Sequence, residues 1–296
     1  MAVLSKAGLF DPTLVADLVN KVKGKSSLAK LSTQVPVSFN GNKEFIFTMD
    51  SEIDIVAENG AKSHGGVSVT PTVIVPIKFE YGARISNEFM TASEEAQLAT
   101  LQAFNDGFAR KVARGIDLAA IHGVNPRTGT ASTVVGTNYF DSKVTQTVTF
   151  DASAPDDNIV AAVQVIQGVD NDLTGIAMSP TFSAALAALT YSDAGVKQYP
   201  EFGWGASPAV VNGIPVDVNR TISDMSSLDR AIAGDFVNMF KWGYAKEIPL
   251  EVIEYGDPDN SGSDLKGHNQ VYIRSEIYLG WGILDATSFV RIVATV

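Results

Sequence analysis

The chain has 296 residues, 45% apolar and 19% charged, which is enough to bury one elaborated core or two modest ones. It has no cysteine, which excludes disulfide frameworks, zinc–thiolate sites, iron–sulfur clusters and thiol nucleophiles. Its formal net charge of −11 argues against a general nucleic-acid binder, because neutralising phosphates takes clustered lysine and arginine.

The segment from Met1 to Gly24 does not read as a signal peptide, since Asp11 and Asp17 interrupt it and no apolar stretch with a small-residue cleavage site follows. The longest apolar-rich run, Ile159–Val169, is far short of the ~20 residues that span a bilayer, so a soluble, non-exported product is expected. Within residues 1–30, five lysines (Lys6, Lys21, Lys23, Lys25, Lys30) face two aspartates, so the acidic excess lies in the body. A basic arm of this kind either docks on the acidic body of a neighbour or is a solvated terminal helix.

The first predicted helix starts at Asp11 and Pro12, carries Leu14, Val15, Leu18, Val19 and Val22 on one stripe, and stops at Gly24. Residues 25–42 read as extended. Glu44–Met49 alternates as a strand, Ile53 and Ile55 continue a second one, and Asn59-Gly60 is a turn dipeptide. From Val73 to Tyr81 the alternation is clean, while Pro71 and Pro76 belong on sheet edges. The segment is therefore a long two-stranded excursion with a Gly-rich tip around 60–66, and an isolated hairpin is marginal in water. It should need a neighbour.

The period then changes to three and four. Thr91 and Glu94 form a capping-box pair, and Leu98, Leu101, Phe104, Phe108, Val112, Ile116 and Ala119 make one face of a helix over about 92–122, ended by Gly123 and Pro126. Residues 127–155 read as polar and strand-like. Asp156 is placed to cap a helix bearing Ile159, Val163 and Ile166; Gly175–Met178 is a short strand; and Ser179-Pro180 opens a helix through Leu189. Tyr191–Pro208 is a Gly- and aromatic-rich loop containing Tyr199, Phe202 and Trp204. Val210-Val211, Asn212-Gly213 and Ile214–Val218 make a hairpin. Strands are expected at Ala231–Phe240 and Leu250–Tyr255, and a last apolar block runs from Val271 to Val293.

Chemical motifs are sparse. His64, His122 and His268 are far apart without short ligand spacing, so they are read as isolated structural or surface residues. Gly203-Trp204-Gly205 and Gly280-Trp281-Gly282 are lone GxG fragments and do not make a nucleotide loop. Asp257-Pro258-Asp259-Asn260-Ser261-Gly262 opens like a calcium loop, but position twelve is His268 instead of a bidentate Glu, and a plain turn-rich loop is favoured. The aromatic loop fits an association surface better than a ligand pocket. No catalytic, cofactor-binding or metal-binding residues are assigned.

In this order of elements the chain resembles the tailed-bacteriophage major capsid family, an α+β class with the Hong Kong 97-like fold. The string Asp54-Ile55-Val56-Ala57-Glu58-Asn59-Gly60-Ala61-Lys62 is similar to the turn of that family's extended hairpin, the E-loop, and Ile85–Met90 to the approach to its spine helix. Ile176-Ala177-Met178-Ser179-Pro180 resembles the strand–Pro–helix step of its axial domain, and Asn212-Gly213-Ile214-Pro215-Val216 the hairpin after it. Tyr272–Ile292, with Gly282-Ile283-Leu284-Asp285 near the end, resembles its closing strands.

The resemblance implies an N-terminal arm at 1–41 and an E-loop at 42–82. A peripheral domain follows at 83–149, including a spine helix at 92–122; then come an axial domain at 150–250 and peripheral return strands at 251–296. It implies a non-enzymatic shell subunit that self-assembles into hexamers and pentamers of an icosahedral virion head, built in the host bacterial cytoplasm. Double-stranded DNA would be enclosed without specific binding and no membrane would be involved. Lys62, Asn59, Gly60, Tyr199, Phe202 and Trp204 become the candidate assembly interface. The chain starts close to the arm, so a separate scaffolding protein, besides a portal, is expected as partner. Some members link an E-loop lysine to a neighbour's asparagine; Lys62 stands in that place but Asn269 does not match the partner, so non-covalent assembly is expected. An encapsulin-type nanocompartment shell has the same fold and is the first alternative, and an α/β enzyme with an unrecognised site is a less favoured second.

Overall fold

The structure, a computed structural model, describes residues 25–49, 51–191, 195–225 and 227–295. The predicted helix between Pro12 and Gly24 lies outside the described residues.

The elements in chain order begin with a short helix α1 (Ser27–Leu31) and strand β1 (Thr33–Gln34), then the hairpin strands β2 (Asn42–Met49) and β3 (Val67–Ile74), then β4 (Ile77–Ser86). Helix α2 (Glu94–His122), short α3 (Phe140–Lys143) and β5 (Thr147–Thr149) lead to an α/β segment of α4 (Pro155–Gln167), β6 (Gly175–Met178), α5 (Pro180–Ala188), β7 (Val210–Val211) and β8 (Ile214–Val218). The chain closes with β9 (Asp229–Gly234), α6 (Phe236–Met239), β10 (Phe240–Ile253), β11 (Gln270–Ile283) and β12 (Phe289–Val293).

One sheet runs β1-β10-β11-β4, a second runs β5-β12-β9-β6-β8-β7, and β2-β3 pair only with each other. Within the six-stranded sheet the central strands β6 and β9 are buried on both faces almost throughout, so they show no polar side. Ala177, Ile232 and Phe289 point to a core shared with α2, Trp242 and Trp281. Their neighbours in sequence, Ile176, Ala231, Ala233 and Val290, point to a second core against α4 and α5. β10 and β11 pair along most of their length, with a bulge between Ile248 and Glu251 that brackets Pro249, a residue with no N–H to give the ladder.

Helix α2 spans 29 residues, roughly 44 Å at ~1.5 Å per residue. Its apolar stripe is buried at Leu101 and from Phe108 through Val112, Ile116 and Ala119, whereas Leu98 near its start is 44% exposed. The Gly280-Trp281-Gly282 fragment has a packing role. Added Cβ atoms at Gly280 and Gly282 would lie 3.0 and 2.8 Å from the Ile74 side chain, so the two glycines make the socket in which the hairpin's root is held.

Several expectations are corrected. The N-cap of α2 is Ser93, whose hydroxyl accepts from the Ala96 N–H at 3.4 Å, because Thr91 is taken into a preceding 3-10 turn and donates to the Glu88 carbonyl at 2.7 Å. At α4 the cap position is Ala154, with Pro155 first and Asp156 and Asp157 in the first turn. Residues 127–155 hold only the three-residue strand β5, because Phe140 is driven into the aromatic core beside Phe236, Phe240 and Phe289 and takes a helical turn with it. The strand expected at Ala231–Phe240 is interrupted: the Asp235 carboxylate accepts from the Asn238 N–H at 3.1 Å and caps α6. β10 then begins at Phe240 and passes through the strand expected from Leu250, ending at Ile253. Ile53 and Ile55 are in no strand, and the Val73–Tyr81 run is two strands broken at Val75-Pro76.

Candidate assembly interface

The β2–β3 hairpin is a two-stranded ribbon with Asn42 opposite Ile74 and Met49 opposite Val67. Ile74 at its root is fully buried, but outward from there Phe45 is 64% exposed and Met49 70%, with Val67, Val69 and Val73 also exposed. Beyond the ribbon, residues 51–66 are exposed throughout, and Asn59 takes a left-handed φ of 64° in the turn where the Gly60 N–H donates to the Ala57 carbonyl at 2.8 Å. Lys62 and His64 lie on this exposed tip. A ribbon with apolar side chains on both strands and water around it has buried too little to be stable alone.

The aromatic loop is split by the structure. Phe202 is 2% exposed and belongs to the second core, so its side chain offers no surface to a partner, contrary to the interface expected of it. Tyr199 is half-buried at the same core, whereas Trp204 is fully exposed. The backbone explains the difference: within the Pro200–Gly205 turn, Gly203 is extended and Trp204 is left-handed at φ 59°, ψ 25°, which turns the indole away from Phe202. Beside this loop is a groove of about 200 Å³ between the start of α4 and the β7–β8 hairpin, floored by Ile176 and Met178.

The three histidines are not brought together. His122 instead meets one acid and one backbone carbonyl, its Nδ1 2.8 Å from Asp141 and its Nε2 2.8 Å from the Thr221 carbonyl oxygen. Both ring nitrogens therefore face oxygens, an arrangement that favours the doubly protonated ring. Arg291 completes the group with two hydrogen bonds of 3.1 Å to the fully buried Asp229 carboxylate, and it lies 3.0 Å from Asp141. The His122, Asp141 and Asp229 ligand atoms are close enough for a metal. However, the imidazole nitrogens are committed and the Arg291 guanidinium already occupies both carboxylates. The group ties together α2, α3, β9 and β12.

The calcium-like loop also carries its own cation. Arg84 on β4 reaches into it, its guanidinium donating to Asp257 at 2.6 Å, to Asp259 and Ser261, and to the Ser263 carbonyl at 2.9 Å. These are the first, third, fifth and seventh positions of the motif, with Gly262 at φ 81° in the sixth. Arg84 holds Asp259 down to about 2, so the tie persists in mild acid. His268 is outside it, with Nδ1 2.8 Å from the Asp264 carbonyl oxygen. Titration of the wild-type chain with calcium should give no binding heat, and Arg84→Ala should speed amide hydrogen exchange across 257–264 specifically. A saturable calcium heat in the wild type would contradict the assignment of Arg84 as the loop's cation.

These surfaces belong to a chain whose residues 7–294 match the model of the phage capsid family. It belongs to that family. The protein is thus a major capsid subunit, a shell-building protein of tailed phages and related particles. A solved structure from Mycobacterium phage Ogopogo is 31% identical with a TM-score of 0.76, covering 92% of each chain. One from Gordonia phage Cozz is 26% identical with a TM-score of 0.76, covering 92% of this chain and 87% of that one. The capsid of a native GTA particle shares the fold at 17% identity and a TM-score of 0.65, covering 91% of this chain and 90% of that one. No curated protein matches the capsid subunit by sequence. Among the described residues, no helix of this subunit is long and apolar enough to cross a membrane.

Sequence reasoning missed the two buried polar groups, at Asp117 and at His122–Arg291. Their members are 19 to 169 residues apart in the chain, so no spacing signals them.

Proposed function

We propose that this capsid subunit forms hexamers and pentamers of an icosahedral head around double-stranded DNA, and that it completes its own fold on its neighbours. The observation that carries this is the β2–β3 ribbon, rooted at Ile74 and exposing Phe45, Met49, Val67, Val69 and Val73. A ribbon of this kind gains stability when its apolar surface is covered by a second copy, at roughly 25 cal/mol for each Å² removed from water. In this reading residues 42–82 are the E-loop, lying on the adjacent subunit with Asn59, Gly60 and Lys62 at its tip, and α2 is the spine.

The peripheral domain comprises residues 83–149 with 251–296, and the axial domain residues 150–250. Residues 1–41 lash neighbours together, and a separate scaffolding protein and a portal act as partners during assembly in the host cytoplasm. The role is structural, with no catalysis. The lumen holds DNA by enclosure, consistent with the acidic body.

Negative-stain imaging of the expressed chain should show closed shells or capsomer rings, and deletion of 51–66 should leave soluble subunits that do not close. A wild-type chain that stays a compact monomer under every assembly condition would sink the proposal. Assembly is non-covalent in this reading, because Lys62 has no fitting asparagine and Asn269 sits at the base of β11, where its carbonyl accepts from the Asn87 N–H at 2.8 Å. Mature particles boiled in detergent should therefore run as one band of monomer size. A ladder of linked oligomers would refute this point.

A further inference from the structure

We infer that Trp204 of one subunit seats in the groove between α4 and the β7–β8 hairpin of the next copy around a ring. The inference rests on the capsomer reading above and names a contact within it. A ring of five or six copies cannot be closed by a self-complementary patch, because a two-fold contact uses the same surface on both partners. It needs two different patches on each subunit, one meeting the other head to tail. The described surface offers such a pair, an outward ring and an open groove.

The convex patch is Trp204, 107% exposed and held outward by a left-handed backbone that bulky residues rarely adopt, between Gly203 and Gly205. Among the described residues nothing packs on the indole. The concave patch is the groove of about 200 Å³, whose walls include Val160, Val211 and Ile214, with Val160 53% exposed. Apolar cavities of ~150 Å³ take a benzene ring, so the space suits an indole.

Polar chemistry agrees with the shape. Asp156 and Asp157 in the first turn of α4 line the groove's edge, and they supply acceptors for the one polar group an indole carries, its N–H donor. A tryptophan buried in an apolar pocket with its N–H satisfied is the kind of anchor that dominates association energy. The single contact buries too little to be the whole interface, which takes on the order of 800 Å² per partner. It acts as the anchor, and the E-loop contacts supply area.

Because the chain has no cysteine, the contact is open to directed cross-linking. Full-length Trp204→Cys and Val160→Cys chains, co-assembled and treated with a short bismaleimide, should give a linked heterodimer, and the double variant a ladder of up to five or six. Trp204→Ala should keep the wild-type melting curve as unassembled subunit, yet raise the concentration needed for assembly on the order of tenfold or more, the loss expected of an interface anchor. If wild type assembles but Trp204→Ala assembles equally well, the inference is overturned. The same holds if position 204 links only to position 204 of other copies. A wild-type chain that never assembles overturns the capsomer reading and this contact with it.

Discussion

Replacing Asp117 by alanine should cost the unassembled subunit about 3–5 kcal/mol. Asp117 lies on α2, fully buried, and its carboxylate accepts from the Ser27 N–H at 3.0 Å, the Leu28 N–H at 3.3 Å, the Thr221 hydroxyl at 3.1 Å and the Ser26 hydroxyl. It thus ends the first turn of α1, a helix too short to stand alone, and fastens it to the middle of α2. Alanine leaves those donors buried without acceptors, at about 1–3 kcal/mol each before any water enters. Burial pushes the Asp117 carboxyl up to about 6 against the pull of its donors, so at pH 7.5 it is ionised and its oxygens are all acceptors. Urea unfolding of full-length unassembled subunit at that pH is the measurement. A variant within about 1 kcal/mol of wild type would show that water replaces the carboxylate at little cost. Asp117→Asn, which keeps one acceptor but turns an amide toward donors, should fall between the two.

The second large effect should come from the His122–Asp141–Asp229–Arg291 group. At pH 8, where Asp229 is ionised, Arg291→Met should lose about 3–5 kcal/mol, the usual result of removing one partner from a buried ion pair. Asp229 is fully buried and Arg291 is 15% exposed, so solvent screening removes little of it. The group also makes the subunit less stable as pH rises from mildly acid to neutral. Burial, reinforced by the neighbouring Asp141, pushes Asp229 up to about 7, above its unfolded value of 3.8. Its contribution is therefore complete below pH 4 and is lost as pH rises through 7.

His122 has the same sign. Burial works to lower it, but the Asp141 hydrogen bond and charge outweigh this and leave it raised above 6.5, so its contribution is present below 6.5 and lost as pH rises through the raised value. Asp141 runs the other way: its partners outweigh burial and lower it, so its contribution fades only as pH falls below 4. The urea midpoint should accordingly fall as pH rises from about 4 through 7 and on through the raised His122 value, and Asp229→Asn should flatten the part between pH 4 and pH 7. A wild-type midpoint that is constant or rises over this interval would show that the group does not titrate as its geometry implies.

Neither polar group could be read from the sequence, whereas much of the frame could. Helix α2, the Ser179-Pro180 helix start, the Asn212-Gly213 hairpin and the β2 strand are each written in local text: a period of three and four, a cap before a proline, a left-handed turn pair, an alternation of two. Such signals act over a few residues and survive whatever packs around them. The misreadings share one cause. Residues 127–155 look strand-like by composition, but Phe140 is claimed by three aromatic rings from remote segments. The Val73–Tyr81 alternation is genuine in sequence, yet Pro76 breaks it into a hairpin arm and a sheet strand that serve different layers. Phe202 and Trp204 are two aromatics two positions apart, and only the left-handed backbone at Trp204 decides that one is core and the other surface.

What the amino-acid sequence determined alone was the local elements and their order, together with the absence of thiol chemistry and the surplus of acidic charge. Those depend on residues near one another or on simple counts. The tertiary structure alone decided which charges are buried together and what fills the calcium-like loop, and which apolar side chains remain uncovered. Each of those depends on groups brought within about 3 Å from distant parts of the chain, where low dielectric and lost water make a carboxylate or a guanidinium matter far more than its type does in solution.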